Sequence, residues 1–400
     1  MPISAIANLE DLVPIRGVSY APVPSDSASR PPEKYFDTDF TNETFSLLWG
    51  SINNGRGDIK NLSDIGVNFL RLHHWSVPPA PGYEPEEKQR NHLPFLRECS
   101  KRDIKVLVPI SNQFLRQIHR GKGEEVKAAI LAIVTEVYNR QTSTPAGAGM
   151  WAIGNEFDQG SPVFDVGDVV MAIEYLDEAE TVLGILAENR LPVTAPISFD
   201  RYAPRAPGVV ALQNLKRAIN ANAALKPAAA NFWDSRFVAS VNPFDDGRHL
   251  KAYINKAFPK YFPDLPFFFH ETGAPIQAGS AVATPIDQAS FVKGQLEATT
   301  HRANFLGRCI FQFLNQTAMK SWSETTFGMT QYSGTPITMG KISSNYEPGG
   351  GELYPVDALT EKPLFNMVRD FYLAEAFLAD EDTLTPAQTA EGTEDRAGLL

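Results

Sequence analysis

The chain is poor in what several classes of protein need. It holds two cysteines in 400 residues, Cys99 and Cys309. Cys99 lies in a segment with helical periodicity and Cys309 opens an apolar run. Both read as small buried hydrophobes, not as a disulfide or redox pair. No run reaches the roughly 18 consecutive apolar residues of a membrane-spanning helix. The segment Met1 to Asp11 has neither a basic n-region nor a long apolar h-region, so no signal peptide is visible and the cytoplasm is the default location. Basic residues are outnumbered: 36 Lys and Arg against 47 Asp and Glu give a formal charge of −11. That disfavours nucleic acid and anionic membrane, which call for clustered Lys and Arg. There is no His-x-His, no His-Glu-x-x-His and no cysteine pair, and the adjacent His73 and His74 diverge on an extended backbone. No metal or other cofactor is expected. A Gly-x-Ser-x-Gly nucleophile elbow is also missing.

What is present is an alternation. Apolar runs at Ile15–Tyr20, Val67–Leu72, Ile104–Ile110, Met150–Ile153, Pro192–Ile197, Phe237–Asn242, Phe267–His270 and Cys309–Leu314 are separated by segments with helical periodicity, and Lys362–Phe377 adds a closing helix. Continuous apolar runs suit parallel strands buried on both faces, and eight βα units suit a closed barrel. An open doubly wound sheet would carry a glycine-rich turn after its first strand, which Gly17-Val18-Ser19-Tyr20 does not form. The expectation is an α/β protein, a (β/α)8 TIM barrel with elaborated loops on its C-terminal face. Residues 1–378 form one barrel and residues 379–400 an acidic tail. The stretch Thr317–Tyr354, rich in Gly, Ser and Thr, is expected to be a long loop over the mouth.

Two of these runs end in a carboxylate. Trp151-Ala152-Ile153-Gly154-Asn155-Glu156 and Phe267-Phe268-Phe269-His270-Glu271 each deliver a Glu where a buried strand should reach the rim. Strands disfavour Glu, and a Glu is seldom buried unpaired. Either acid alone could be an ordinary strand-end carboxylate that caps the following helix. Barrel chemistry, however, gathers at the carboxyl ends of the strands. Two carboxylates delivered there are the equipment for cleaving a glycosidic bond. Asn155 adds an amide suited to a sugar hydroxyl.

These motifs carry a resemblance. Trp151–Glu156 resembles the fourth-strand motif of clan A glycoside hydrolases, and Phe268-Phe269-His270-Glu271-Thr272-Gly273-Ala274-Pro275 their seventh-strand motif. The form is closest to families 17 and 72, the β-1,3-glucanases and β-1,3-glucanosyltransferases. Arg16–Tyr20 and Gly66–Arg71 are similar to the first and second strands of those families. The islands span about residues 12 to 320. The resemblance implies a retaining hydrolase or transglycosylase acting on a β-linked glucan-type oligo- or polysaccharide. It makes Glu156 the acid/base, Glu271 the nucleophile, Asn155 the partner of the sugar 2-hydroxyl, and Arg71 the electrostatic support of Glu271. Two positions depart from the family pattern: Ala274-Pro275 replaces Trp-Pro, and Asn242-Pro243-Phe244 stands where Asn-x-Tyr-Pro is usual.

Other candidates surround the mouth. Asn242 and Asp200 follow strands and could bind hydroxyls, while Asp158, Asp245 and Asp246 read equally as solvated loop charges. Aromatic faces suit the C–H patches of sugar rings. Tyr20, Trp75 and Trp322 are the chosen candidates, with core packing as the alternative for each. Trp151, Trp233 and Tyr202 share that ambiguity. A non-catalytic carbohydrate-binding or structural barrel is the competing function, motivated by Ala274, Phe244 and the acidic tail.

Overall fold

The computed structural model describes residues 6–26, 40–51, 54–76, 91–138, 147–199, 207–225, 231–299, 304–316, 324–342 and 351–383. Its centre is a ring of parallel strands: β1 (Ile15–Tyr20), β2 (Phe69–Leu72), β3 (Lys105–Ile110), β4 (Ala148–Ile153), β5 (Val193–Thr194 resuming as Pro196–Ser198), β6 (Ala239–Asn242), β7 (Phe267–Thr272) and β8 (Phe305–Ile310). The ring closes through both ends and the middle of this order. β1 pairs with β8 through Gly17 and Cys309, and the two pieces of β5 pair with β4 at Trp151 and with β6 at Ser240. The break in β5 falls between Pro192 and Pro196, neither of which has an N–H to give to a ladder.

A helix follows every strand. These include Asp58–Asp64 after β1, Leu93–Ser100 after β2, Gly123–Val137 after β3, Val166–Val182 after β4, Pro207–Ala221 after β5, Gly247–Ala252 after β6 and Pro285–Ala298 after β7. The closing helix Pro363–Thr383 runs past Leu378, where the sequence suggests a polar tail; residues 384–400 lie outside the described ones. The helix Val166–Val182 starts on a capping box, in which the Asp165 side chain accepts from backbone N–H groups and Asp168 answers.

Alternation along each strand sorts its side chains into two cores. Val18, Tyr20, Leu70, Leu72, Trp151 and Ile153 face the helices. Ile15, Phe69, Leu107, Met150, Ala152, Val238, Phe268 and Cys309 fill the barrel. Ile6, Leu9 and Leu12 of the leading segment join this inner cluster and plug the amino end. Gly17 makes room for Cys309, whose sulfur would lie 2.4 Å from a Cβ there. Both cysteines are free and buried. Among the described residues no helix is long and apolar enough to cross a membrane.

Two sequence expectations need correction. The last strand is Phe305–Ile310, not Cys309–Leu314. Apolarity continues through Phe311, Phe313 and Leu314 because that loop is itself buried. The stretch expected as a loop from Thr317 to Tyr354 contains the strand β9 (Thr330–Lys341), which pairs antiparallel with β10 (Leu353–Glu361), a strand that starts at the end of the stretch and runs beyond it. β9 is largely exposed and β10 mixes buried with exposed positions, so no apolar run announces the ribbon. It is anchored by Tyr354 and Val356, which pack with Val23, Phe45 and Leu48.

Candidate active site

The turn after β4 is built to present two side chains. Gly154 has φ +68°, and a Cβ there would sit 2.8 Å from both Asn112 Oδ1 and Leu115 Cδ1. Glycine is thus required twice, for its torsion and for close approach. The approach lets Asn112 clamp the next residue. Its Oδ1 accepts from the Asn155 backbone N–H at 2.8 Å, and its Nδ2 donates to the Asn155 carbonyl at 2.8 Å. Glu156 is then held at φ 48°, ψ 50°, a left-handed conformation uncommon for a residue with a side chain.

β7 delivers the second carboxylate by a different device. Period-two alternation from the inward Phe268 would send His270 and Thr272 into the barrel and Glu271 outward. Between Phe269 and Thr272, however, β7 takes three steps while β8 takes two, from Arg308 to Ile310. This bulge re-aims the strand end. Glu271 is 6% exposed and ion-pairs with Arg71, which is 2% exposed. Arg71 reaches that place because it stands two residues after Phe69 on the inward face of β2. The inner layer beneath is apolar, with the rings of Phe69 and Phe268 meeting edge to face at 6.2 Å. A cation on such a floor needs a counter-charge, and Glu271 supplies it.

Hydrogen bonds join the two carboxylates. Arg71 Nε–H donates to His270 Nε2 at 3.1 Å, and His270 Nδ1 lies 3.0 Å from Asn242 Oδ1. Asn242 Nδ2 donates to Asn155 Oδ1 at 3.0 Å and to Glu156 Oε1 at 3.1 Å. Burial pushes the Glu156 carboxyl above its ordinary value, and nearby Asp158 adds to this; the Asn242 bond and Arg71 oppose it. Burial and then Arg71 hold the His270 imidazole well below the usual histidine range. Beside these groups is a cavity of about 170 Å³ whose lining includes Arg71, His73, Ser111, Asn112, Asn155 and His270. Arg71 Nη1, His73 Nε2 and Ser111 Oγ are buried without a hydrogen-bond partner among the described residues. Buried polar atoms are nearly always satisfied, so these three mark the cavity as a place for a polar ligand or water.

The structure thus brings Glu156, Glu271, Asn155, Arg71 and Asn242 to one rim. It does not bring Tyr20 or Trp75 there. Tyr20 is buried among the helices; its hydroxyl donates to Asp58 at 3.0 Å and its ring stacks on Phe95. Trp75 is fully buried, stacked on His92 at 4.0 Å with its Nε1 bonded to Glu136. Trp151 and Trp233 are core residues as well. Asp200, Tyr202 and Trp322 lie outside the described residues. Asp158 accepts from the Ser198 backbone N–H at 2.8 Å and so ties its turn to β5.

Among the described residues, phenylalanines supply exposed aromatic surface beside the cavity. Phe244, 40% exposed, packs edge-on against Phe311 and Phe327, and His73 meets Phe311. In the sequence Phe244 stands out only as a departure from the Tyr of the family pattern. Its place two residues after Asn242 was the available signal. Two groups, His119 with Asp165 and Asp168, and Asp245 with Asp246 and His249, bring three possible metal ligands together. Asp165 and Asp246 there serve as helix caps.

No protein-family model matches the chain, and no curated protein matches it. Solved structures do. A GH2 β-galacturonidase from Eisenbergiella tayi, bound to glycerol, is similar over 90% of this chain at 16% identity and TM-score 0.51. The chain spans 51% of that protein's length. Gas2p of Saccharomyces cerevisiae, in complex with laminaritetraose and laminaripentaose, is 15% identical over 90% of this chain and 63% of its own, with TM-score 0.48. The GH113 β-mannanase AaManA of Alicyclobacillus acidocaldarius is 14% identical over 91% of this chain and 98% of its own, with TM-score 0.49. At these identities what is shared is the TIM-barrel fold.

Proposed function

We propose that the chain is a retaining glycoside hydrolase or transglycosylase acting on a β-linked, glucan-type oligo- or polysaccharide. The observation that carries this reading is the opposed environment of two carboxyl groups on one rim. Glu271 faces the guanidinium of Arg71, whereas burial favours a protonated Glu156. Carboxyls whose surroundings favour different protonation states divide the work of nucleophile and acid. Glu271 attacks the anomeric carbon as Glu156 gives its proton to the departing oxygen. Glu156 then takes a proton from water, or from an acceptor sugar, whose oxygen displaces Glu271 and releases the glycosyl group.

The surrounding groups suit a sugar. Asn155 Oδ1 is taken by Asn242, so its amide offers a donor, Nδ2, to the 2-hydroxyl. Arg71 Nη1, His73 Nε2 and Ser111 Oγ line the adjacent cavity and can bond further hydroxyls. Phe244 offers a ring face at the entrance. The barrel shared with a protein named a β-galacturonidase agrees with the class.

The test is a product screen over β-linked glucans, mannans and uronides with the wild type, Glu156→Ala and Glu271→Ala. Release of reducing ends or transfer products by the wild type alone is expected. Retained turnover in either variant overturns the assignment. Oligosaccharide binding with no turnover of any linkage would favour the carbohydrate-binding barrel instead.

A further inference from the structure

We propose that His270 is a positioning residue: with its proton on Nδ1, it fixes which end of the Asn242 amide faces Glu156, and thereby sets the proton affinity and position of that carboxyl. The catalytic consequence rests on reading Glu156 as the acid; the side-chain order does not. The direction of each bond follows from the one before it. Arg71 Nε–H is a donor in every state, so His270 Nε2, 3.1 Å away, must accept. A neutral imidazole then carries its single proton on Nδ1, which donates to Asn242 Oδ1 at 3.0 Å. That turns Asn242 Nδ2 toward Asn155 Oδ1 and Glu156 Oε1, both acceptors. The two ends of an amide have nearly the same shape, so packing alone would not choose between them. The imidazole chooses. A proton added to Nε2 would set N–H against N–H at Arg71, and burial already disfavours the charged ring.

The sequence of contacts Glu271, Arg71, His270, Asn242, Glu156 therefore spans the mouth from one carboxylate to the other. The charged and titratable groups acting on Glu156 are Asp158 on its own turn and Arg71 from β2; Asn242 reaches it from β6. His270 itself is faced by Arg71 and His73, with Phe268 beside it. Of the groups acting on Glu156, Asn242 is the one that a change at position 270 reorients while every charge stays in place.

Three substitutions separate the two ends of the ring. Asn places an N–H near the Nδ1 position, Gln places an acceptor near Nε2, and Phe keeps neither. If Asn242 turns its oxygen to Glu156, or lets go, the bond that favours the anion is lost and the carboxyl holds its proton to higher pH. A 13C titration of the Glu156 carboxyl is expected to show a raised midpoint in His270→Gln and His270→Phe and the wild-type midpoint in His270→Asn. The 15N spectrum of the wild-type ring is expected to show Nδ1–H with Nε2 as acceptor, unchanged over about pH 5 to 8. The kcat of the Gln and Phe variants is expected to fall, on the order of 100-fold for a displacement of about 1 Å, with KM little changed. Circular dichroism checks that each variant folds. If Phe fails this check, the Asn and Gln pair decides. An Nε2–H tautomer, a ring that titrates in that range, or one Glu156 midpoint in all variants overturns the proposal. The expected spectra in a protein that turns over no glycoside would instead refute the enzymatic reading and leave the positioning intact.

Discussion

Arg71→Met tests whether charge balance at the mouth is as tight as the geometry implies. The Arg71 and Glu271 side chains are 2% and 8% exposed, so water screens their attraction poorly. Removing one partner of such a pair leaves the other charge buried and costs about 3–5 kcal/mol. For 400 residues, an unfolding entropy of roughly 2.1 cal/mol/K per residue gives about 0.8 kcal/mol/K, so Tm is expected to fall by about 4–6 °C. Replacing both partners, Arg71→Met with Glu271→Gln, removes the uncompensated charge. Its Tm is expected to lie closer to wild type than that of Arg71→Met. Differential scanning calorimetry of the four proteins at one scan rate completes the cycle. Strict additivity of the two single losses, or no loss in Arg71→Met, would mean the pair is not the buried, interdependent unit described above.

Two further outcomes follow from the site. Glu156 must be protonated to act as an acid, and its carboxyl is raised by burial, so kcat/KM is expected to decline as pH rises through a midpoint above the ordinary glutamate value of about 4.3. Stability has the same sign. A carboxyl raised in the folded state contributes fully below the unfolded value and loses that contribution as pH rises through the folded one, so Glu156→Gln should flatten this slope in urea titrations across pH. A midpoint at or below 4.3 would contradict both. Phe244→Ala should raise KM about 2- to 10-fold at nearly constant kcat, corresponding to roughly 0.5–1.5 kcal/mol of ring contact. An unchanged KM on every oligosaccharide turned over would remove Phe244 from the binding surface.

The barrel is legible in the sequence because its strands are covered on both faces and so appear as unbroken apolar runs. The same rule misplaces β8, since the loop beyond Ile310 is also buried, and it misses β9, most of whose residues face water, and β10, whose buried residues Tyr354 and Val356 form no unbroken apolar run. The Gly-Asn-Glu and His-Glu ends are legible because carboxylates at buried strand ends are costly without a purpose. Tyr20 and Trp75 show the limit of judging aromatics by nearness to a strand end. Tyr20 shares the outward face of Val18, a parity that the sequence does contain, whereas Trp75 is drawn inward by His92 and Glu136 from distant segments. The place of Glu271 depends on a bulge between β7 and β8, and the role of His270 depends on two partners, Arg71 from β2 and Asn242 from β6. Neither pairing leaves a local pattern.

Proton NMR of the first sugar released from a β-linked substrate tests the central claim most directly. Nucleophilic attack by Glu271 followed by a second displacement inverts the anomeric carbon twice. The β-anomer should therefore appear first and mutarotate to the equilibrium mixture. Initial release of the α-anomer would show a single displacement by water and contradict a covalent role for Glu271.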